Sequence, residues 1–433
     1  MSGRGSNRPA FLALTMAVVI VVPGIVLRLS GVAPAPVEGV IFYGLAIVGA
    51  AFLLTWAAEL LEEHLGEGLA IAVLALVAVL PEYAVDVVFA WKAGGNPAKF
   101  APLALANMTG ANRLLIGVGW SMVALTAAWR ARRQGGADPK VEKRGGGHAP
   151  GPAVSLAPVQ MVGVGFLGVA TLYALTFVLR RSLTIVDVVV LVGIFALYLL
   201  RLNRGRYGDV GSSEELEGAA VLIAQLPPRP RVAAMVMMLV VAAATIFLLA
   251  EPFAISLVAT GNALRINDFL LVQWVAPIAS ESPEFIAAIV LARKGRSSTA
   301  LGALVSSKIN QWTLLVGFLP LVFAISSASL HGLPLDVAQR EELLLTAAQS
   351  FFALILVLEG RLGVAGAISL LTLFLAQFAL SWALPGSLAG PARLTFAGVY
   401  IVAGLVQLAR RRSALVAVVR SSMGPAAFSR RRP

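Results

Sequence analysis

The chain has 433 residues, 58% of them hydrophobic and only 13% charged, which excludes an ordinary soluble domain and indicates a polytopic α-helical membrane protein. Its net charge of +12 does not indicate nucleic-acid binding, because Lys and Arg cluster in short segments between apolar runs, the positive-inside pattern. There is no cysteine, and the three histidines (His64, His148 and His331) lie far apart in expected loops, so disulfides, thiol chemistry and a zinc cluster are excluded.

Taken at about 20 residues per span, the chain reads as twelve apolar segments. They fall near 11–30, 38–61, 68–92, 101–128, 157–179 and 183–203, then 231–260, 268–293, 300–326, 342–359, 362–384 and 393–410. The first segment is long for a signal peptide and reads as a retained span. The acidic run Glu59, Glu62, Glu63 and Glu67 reads as a solvated turn. Lys92 and the Arg180-Arg181 pair read as side chains snorkelling to the interface.

Charge orients these segments. The Gly-rich basic stretch 129–152, the connection 201–231, the RKGR sequence at 293–296 and the tail after Arg410 carry most of the Lys and Arg. All four fall on one side when the N-terminus is cytoplasmic, so both termini are expected in the cytoplasm and the protein in an inner (plasma) membrane.

Two proline–glutamate pairs stand in the middle of long apolar segments: Pro81-Glu82 in VLPEYAVDVV and Pro283-Glu284 in ASESPEFIAA. Burying an ionisable group in a membrane costs several kcal/mol, so such a group is a site candidate by default. The adjacent proline frees the carbonyl four residues earlier, at Val77 and Ala279. Glu82 and Asp86 are four residues apart and share a helix face, as do Glu281 and Glu284 at three apart. Each pair is followed by a short polar turn and a second helix rich in small and polar residues, ALANMTGANRLL and ALVSSKINQWTLL. The span count gives the two helix pairs opposite directions, an inverted repeat whose interface is where substrate is expected.

Ca²⁺ takes six to eight oxygens from carboxylates, carbonyls and amides. Glu82 and Glu284, the freed carbonyls, and a subset of Asn107, Asn112, Ser307, Asn310 and Gln311 form such an oxygen set. Two carboxylates facing a low-dielectric site need a cation or protons to neutralise them, which suits an exchanger. An intramembrane protease would need a Ser–Lys or Ser–His pair, paired aspartates or a HExxH helix. Ser306, Ser307 and Lys308 are consecutive and point in different helical directions, so they do not make that dyad, and no enzyme is expected.

AVLPE with ALANMTGANRLL, and ASESPE with ALVSSKINQWTLL, resemble the two α-repeats of the sodium/calcium exchanger, or calcium:cation antiporter, family. The resemblance implies an all-α fold with a core of roughly ten spans built as an inverted repeat, plus one additional helix at each end. It divides the chain into an N-terminal helix (1–37), a first half (38–203, α1 repeat about 68–128), a cytoplasmic linker (204–230), a second half (231–384, α2 repeat about 268–326) and a C-terminal helix with a basic tail (385–433).

The implied activity is exchange of Ca²⁺ or a similar cation for Na⁺ or H⁺ by alternating access. Small cations are the substrates, the bilayer is the surrounding partner, and neither a cofactor nor nucleic acid takes part. Glu82 and Glu284 fall on the family's cation-binding glutamates, Ser280 and Glu281 on the residues preceding the second of them, and Ser307 and Gln311 on polar ligand positions with Asn310 beside them. In the first repeat, Asn107 and Asn112 are the candidates, with Thr109 next. Arg113 and Lys308 are cations where the family has neutral residues; with Asp86 they are charge-coupling candidates. The alternative within transport is a cation/proton exchanger that does not use Ca²⁺, with Lys308 or Arg113 as internal counter-charge.

Overall fold

The computed structural model describes residues 7–62, 80–133, 153–204, 216 and 218–411. Thirteen helices account for nearly all of them: α1 (Arg8–Leu29), α2 (Pro36–Glu62), α3 (Leu80–Gly95), α4 (Pro97–Arg133), α5 (Pro158–Leu179), α6 (Ile185–Arg204), α7 (Ala219–Ala224), α8 (Pro228–Leu264), α9 (Asp268–Arg293), α10 (Ser297–Ser327), α11 (Val337–Leu356), α12 (Val364–Ala383) and α13 (Gly386–Arg410). Ten of these are long and apolar enough to cross a membrane. The other two of substantial length are α3, whose expected lead-in at 68–79 lies outside the described residues, and α11, which carries Arg340, Glu341 and Glu342 near its start. Each of the twelve expected segments therefore corresponds to a helix, and the all-α membrane fold is as the composition requires.

Boundaries moved outward where good helix formers continue past the apolar run. The segment near 101–128 is the 37-residue α4, which runs on through Arg130, Arg132 and Arg133. Likewise α8 reaches Leu264, where Arg265 turns left-handed (φ 54°) and the amide of Ile266 donates to the Gly261 carbonyl at 2.9 Å. That closure satisfies a helix-end carbonyl in the usual C-terminal way.

Both α4 and α10 contain a π turn, at Leu115–Trp120 and Gln311–Leu315. With Asn112 aligned on Asn310, the two turns overlap at matching places in the two repeats. π turns widen the backbone hydrogen-bond spacing and recur at functional sites.

Two compact units make up the chain, each drawing on both halves of the sequence: Met1–Met108, Arg206–Pro283 and Leu319–Leu333 in the first, and Thr109–Gly205, Glu284–Phe318 and Pro334–Pro433 in the second. In the first unit, α2 packs along α8 and against α1, and α3 packs on α8. Small residues allow this: a Cβ on Gly49 would lie 2.8 Å from the Ala17 carbonyl and 2.7 Å from Ile20 and Val21, so α1 and α2 approach closely only with glycine there. Lys92 forms an ion pair with Glu251 at 2.8 Å, a defined partner in place of the free snorkelling expected of it.

In the second unit, α11 packs on α13 and α5, α5 on α6 and α10, and α12 on α4. The strands Ala153–Ser155 and Arg361–Gly363 pair antiparallel. Arg180 likewise has a partner: its guanidinium and the Tyr173 hydroxyl (2.7 Å) both donate to the buried Asp187 carboxylate. Of the acidic run expected as a solvated turn, Glu59 is half-buried within α2, because the helix continues to Glu62. The side chains of Glu62, Glu63 and Glu67 lie outside the described residues, as do most of the basic stretch 129–152, the linker and the tail.

Candidate cation site

In the first unit, α3 brings Glu82 and Asp86 to one face, four residues apart, and both are 1% exposed. Asn107, on the first part of α4, is also fully buried and donates from Nδ2 to Asp86 Oδ1 at 2.8 Å. Asp86 Oδ2 and Asn107 Oδ1 are buried oxygens with no hydrogen-bond partner among the described residues. A buried acceptor left unmatched costs free energy, which a bound cation would recover.

The first part of α9 adds Ser280 and Glu281, both buried. Ser280 donates its hydroxyl to the carbonyls of Ala276 (3.3 Å) and Pro277 (3.4 Å). Pro277 and Pro283 both lie inside the helix. Pro283 has no N–H to offer the Ala279 carbonyl four residues earlier, and Pro277 none to offer the Gln273 carbonyl. The Val77 carbonyl, its expected counterpart in the first repeat, lies outside the described residues.

In the second unit, Glu284 is half-buried on α9, and Ser307 lies on α10. Asn310 and Gln311 are buried at the start of the α10 π turn. Lys308 has no exposed surface: its ammonium donates to Asn112 Oδ1 at 2.6 Å and to the Asn112 carbonyl at 3.0 Å, and lies 5.1 Å from the centre of the Trp312 ring.

Arg113, 3% exposed, pairs through Nη2 with Glu342 of α11 at 2.6 Å. Gln349, two turns along α11, donates to the Arg113 carbonyl at 3.3 Å. Arg393 of α13 bonds Glu341 at 2.8 and 3.0 Å and reaches Glu342 at 3.5 Å. The sequence reading missed this network because Glu341 and Glu342 stand at the margin of an apolar segment and look like an interfacial flank. The signal available was Arg113 itself, since a cation deep in an apolar helix requires an anion somewhere.

The structure thus joins Asp86 to Asn107 and Lys308 to Asn112, while Arg113 turns to α11. Among the described residues no group of three His, Asp or Glu side chains gathers, so the candidate ligands are carboxylates supplemented by amides, hydroxyls and carbonyls.

Residues 36–202 and 234–383 match the sodium/calcium exchanger protein family. The chain belongs to that family. It is a membrane transporter and not an enzyme. A crystal structure of the H⁺/Ca²⁺ exchanger CAX is 36% identical in sequence, with a TM-score of 0.84 over 98% of this chain and 99% of that one. A crystal structure of the Ca²⁺/H⁺ antiporter YfkE is 13% identical, with a TM-score of 0.59 over 86% of this chain and 99% of that one, a likeness of fold. No curated protein sequence matches.

Proposed function

We propose that this chain is a secondary-active antiporter that exchanges Ca²⁺ for H⁺, with Glu82 and Glu284 as the carboxylates that bind the transported cation. The observation that carries this reading is the recurrence of a proline–glutamate pair inside two apolar helices, with Glu82 buried and Glu284 half-buried, in a chain 36% identical over 98% of its length to an H⁺/Ca²⁺ exchanger. The supporting oxygens are Asp86, Asn107, Ser280 and Glu281 for Glu82 in the first unit, and Ser307, Asn310 and Gln311 for Glu284 in the second. Carboxylates in low dielectric demand neutralisation, and either Ca²⁺ or protons supply it. The protein then changes sides with the site neutralised, by rocking of one bundle against the other.

Purified protein in liposomes is expected to move Ca²⁺ when a pH gradient alone is imposed, and to acidify or alkalise the lumen when a Ca²⁺ gradient alone is imposed. Ca²⁺ flux that follows an imposed Na⁺ gradient and ignores pH would replace H⁺ by Na⁺ as the counter-ion. Flux of another cation with no Ca²⁺ movement would establish the alternative exchanger.

The same reading puts both termini and the 129–152 stretch in the cytoplasm of an inner-membrane protein, with the turn at 94–99 on the opposite face. Because the chain has no cysteine, single cysteines at Gly136 and Gly95 report this cleanly. An impermeant maleimide is expected to label only one of them from each side. Labelling of both from one side would overturn the opposed orientation of the repeats.

A further inference from the structure

Asn112 and Asn310 occupy equivalent places in the two repeats, each just before a π turn. Where an α-helix passes into a π turn, the hydrogen-bond ladder lengthens from i+4 to i+5, and side-chain donors to the carbonyls of the preceding turn help to hold that geometry. In α10 the donor comes from the same helix: the Thr313 hydroxyl reaches the Ile309 carbonyl at 2.6 Å and the Asn310 carbonyl at 3.5 Å. The equivalent residue in α4 is Leu115, which has no donor. There the donors come from other helices: the Lys308 ammonium to the Asn112 carbonyl at 3.0 Å, and Gln349 to the next carbonyl, that of Arg113, at 3.3 Å.

The Lys308 ammonium also holds the Asn112 side chain, at 2.6 Å from Oδ1. A Ca²⁺ on that same oxygen, at its usual ~2.4 Å, would stand roughly 4–5 Å from the ammonium, where a divalent and a monovalent cation repel strongly in a low-dielectric site.

We propose that Lys308 is a built-in donor that fastens the α4 π turn through Asn112, and that Asn112 is a positioning residue and not a ligand of the transported cation. The clasp takes the place in the first repeat that Thr313 takes in the second. It removes Asn112 from the candidate ligand set and leaves Asn107 as the first-repeat amide able to face the cation. This rests on the exchange reading for its functional consequence, but the clasp itself is a property of the folded chain.

Three variants test it. Lys308→Met is expected to raise backbone hydrogen exchange across 109–120 and to lower the maximal Ca²⁺ flux about tenfold, the size expected for one lost charge-assisted hydrogen bond, with the Ca²⁺ KM within about threefold of wild type. Leu115→Thr in the Lys308→Met background restores a donor in the manner of Thr313, and is expected to recover exchange protection and part of the flux. Asn112→Ala is expected to keep equilibrium Ca²⁺ binding by purified protein within about threefold, where loss of a ligand would weaken it by about tenfold or more.

Unchanged exchange protection in Lys308→Met, or absence of rescue by Leu115→Thr, overturns the clasp. A tenfold loss of Ca²⁺ affinity in Asn112→Ala overturns the assignment of Asn112 as a positioning residue. If the wild-type protein moved no Ca²⁺, the exchange reading would fail, while hydrogen exchange would still decide the clasp. Should Lys308→Met fail to fold, Leu115→Thr introduced first is expected to make Lys308→Met tolerable, and a double variant that also fails to fold overturns the idea.

Discussion

Glu82→Gln and Glu284→Gln are each expected to lower Ca²⁺ flux about a hundredfold or more while leaving membrane insertion intact. A cation leaving water for a buried site must recover its hydration energy from charged oxygens, and a loss of roughly 3 kcal/mol per carboxylate is a factor near a hundred. The neutral amide keeps the shape of the side chain, so the change isolates charge. Stability provides a second readout. Glu82 is buried at 1% exposure beside Asp86, so removing its charge relieves repulsion and desolvation in the cation-free protein. Glu82→Gln is therefore expected to melt at or above the wild-type temperature without Ca²⁺ and to lose the stabilisation that added Ca²⁺ gives wild type through binding the folded state. Wild-type flux in either variant, measured in proteoliposomes, would remove that carboxylate from the transport site. A Glu82→Gln protein that is still stabilised by Ca²⁺ would show that the cation binds elsewhere.

What the chain discloses by itself follows from which interactions are local. Apolar runs long enough to span gave the helices, because a membrane leaves a segment few alternatives to closing its own hydrogen bonds. The recurrence of Pro-Glu marked α3 and α9, since a buried carboxylate beside a helix-distorting proline is costly and rarely incidental. The pairing Asp86–Asn107 was half visible: both residues were candidates, but nothing in the spacing of α3 and α4 fixes which amide meets which carboxylate. Lys308 shows the limit more sharply. As a sequence feature it is a cation beside the candidate ligand Ser307 and reads as a charge-coupling residue or internal counter-charge. In the structure its ammonium bonds Asn112, 196 residues away, at the side chain and at the backbone carbonyl before the α4 π turn. A π turn leaves no strong local mark in side-chain pattern, so neither the turn nor the donor it requires was readable.

Glu342→Gln is expected to destabilise the protein by about 3–5 kcal/mol, because breaking a buried ion pair leaves the surviving charge without compensation. Arg113 is 3% exposed and Glu342 4% exposed, with 2.6 Å between their charged groups, so no water is at hand to replace the lost carboxylate. The damage should pass beyond the pair. Arg393 bonds Glu341 at 2.8 Å and Glu342 at 3.5 Å, so the four side chains form a neutral network in which the loss of one anion leaves two guanidinium groups sharing Glu341. Replacing both members of the pair, Arg113→Leu with Glu342→Leu, removes one charge of each sign and is expected to recover most of the stability, since apolar side chains can substitute for a buried pair without its desolvation cost. Thermal unfolding of detergent-purified protein distinguishes the cases: Glu342→Gln well below wild type and the double variant near it. Equal losses in the single and double variants would mean that shape, and not charge, fastens Arg113. The network also gives α13 a role that the family match, ending at residue 383, does not cover. Arg393 is its contribution, and Arg393→Met should lower stability in the same direction as Glu342→Gln, because Glu341 would then lose the guanidinium that bonds it at 2.8 and 3.0 Å.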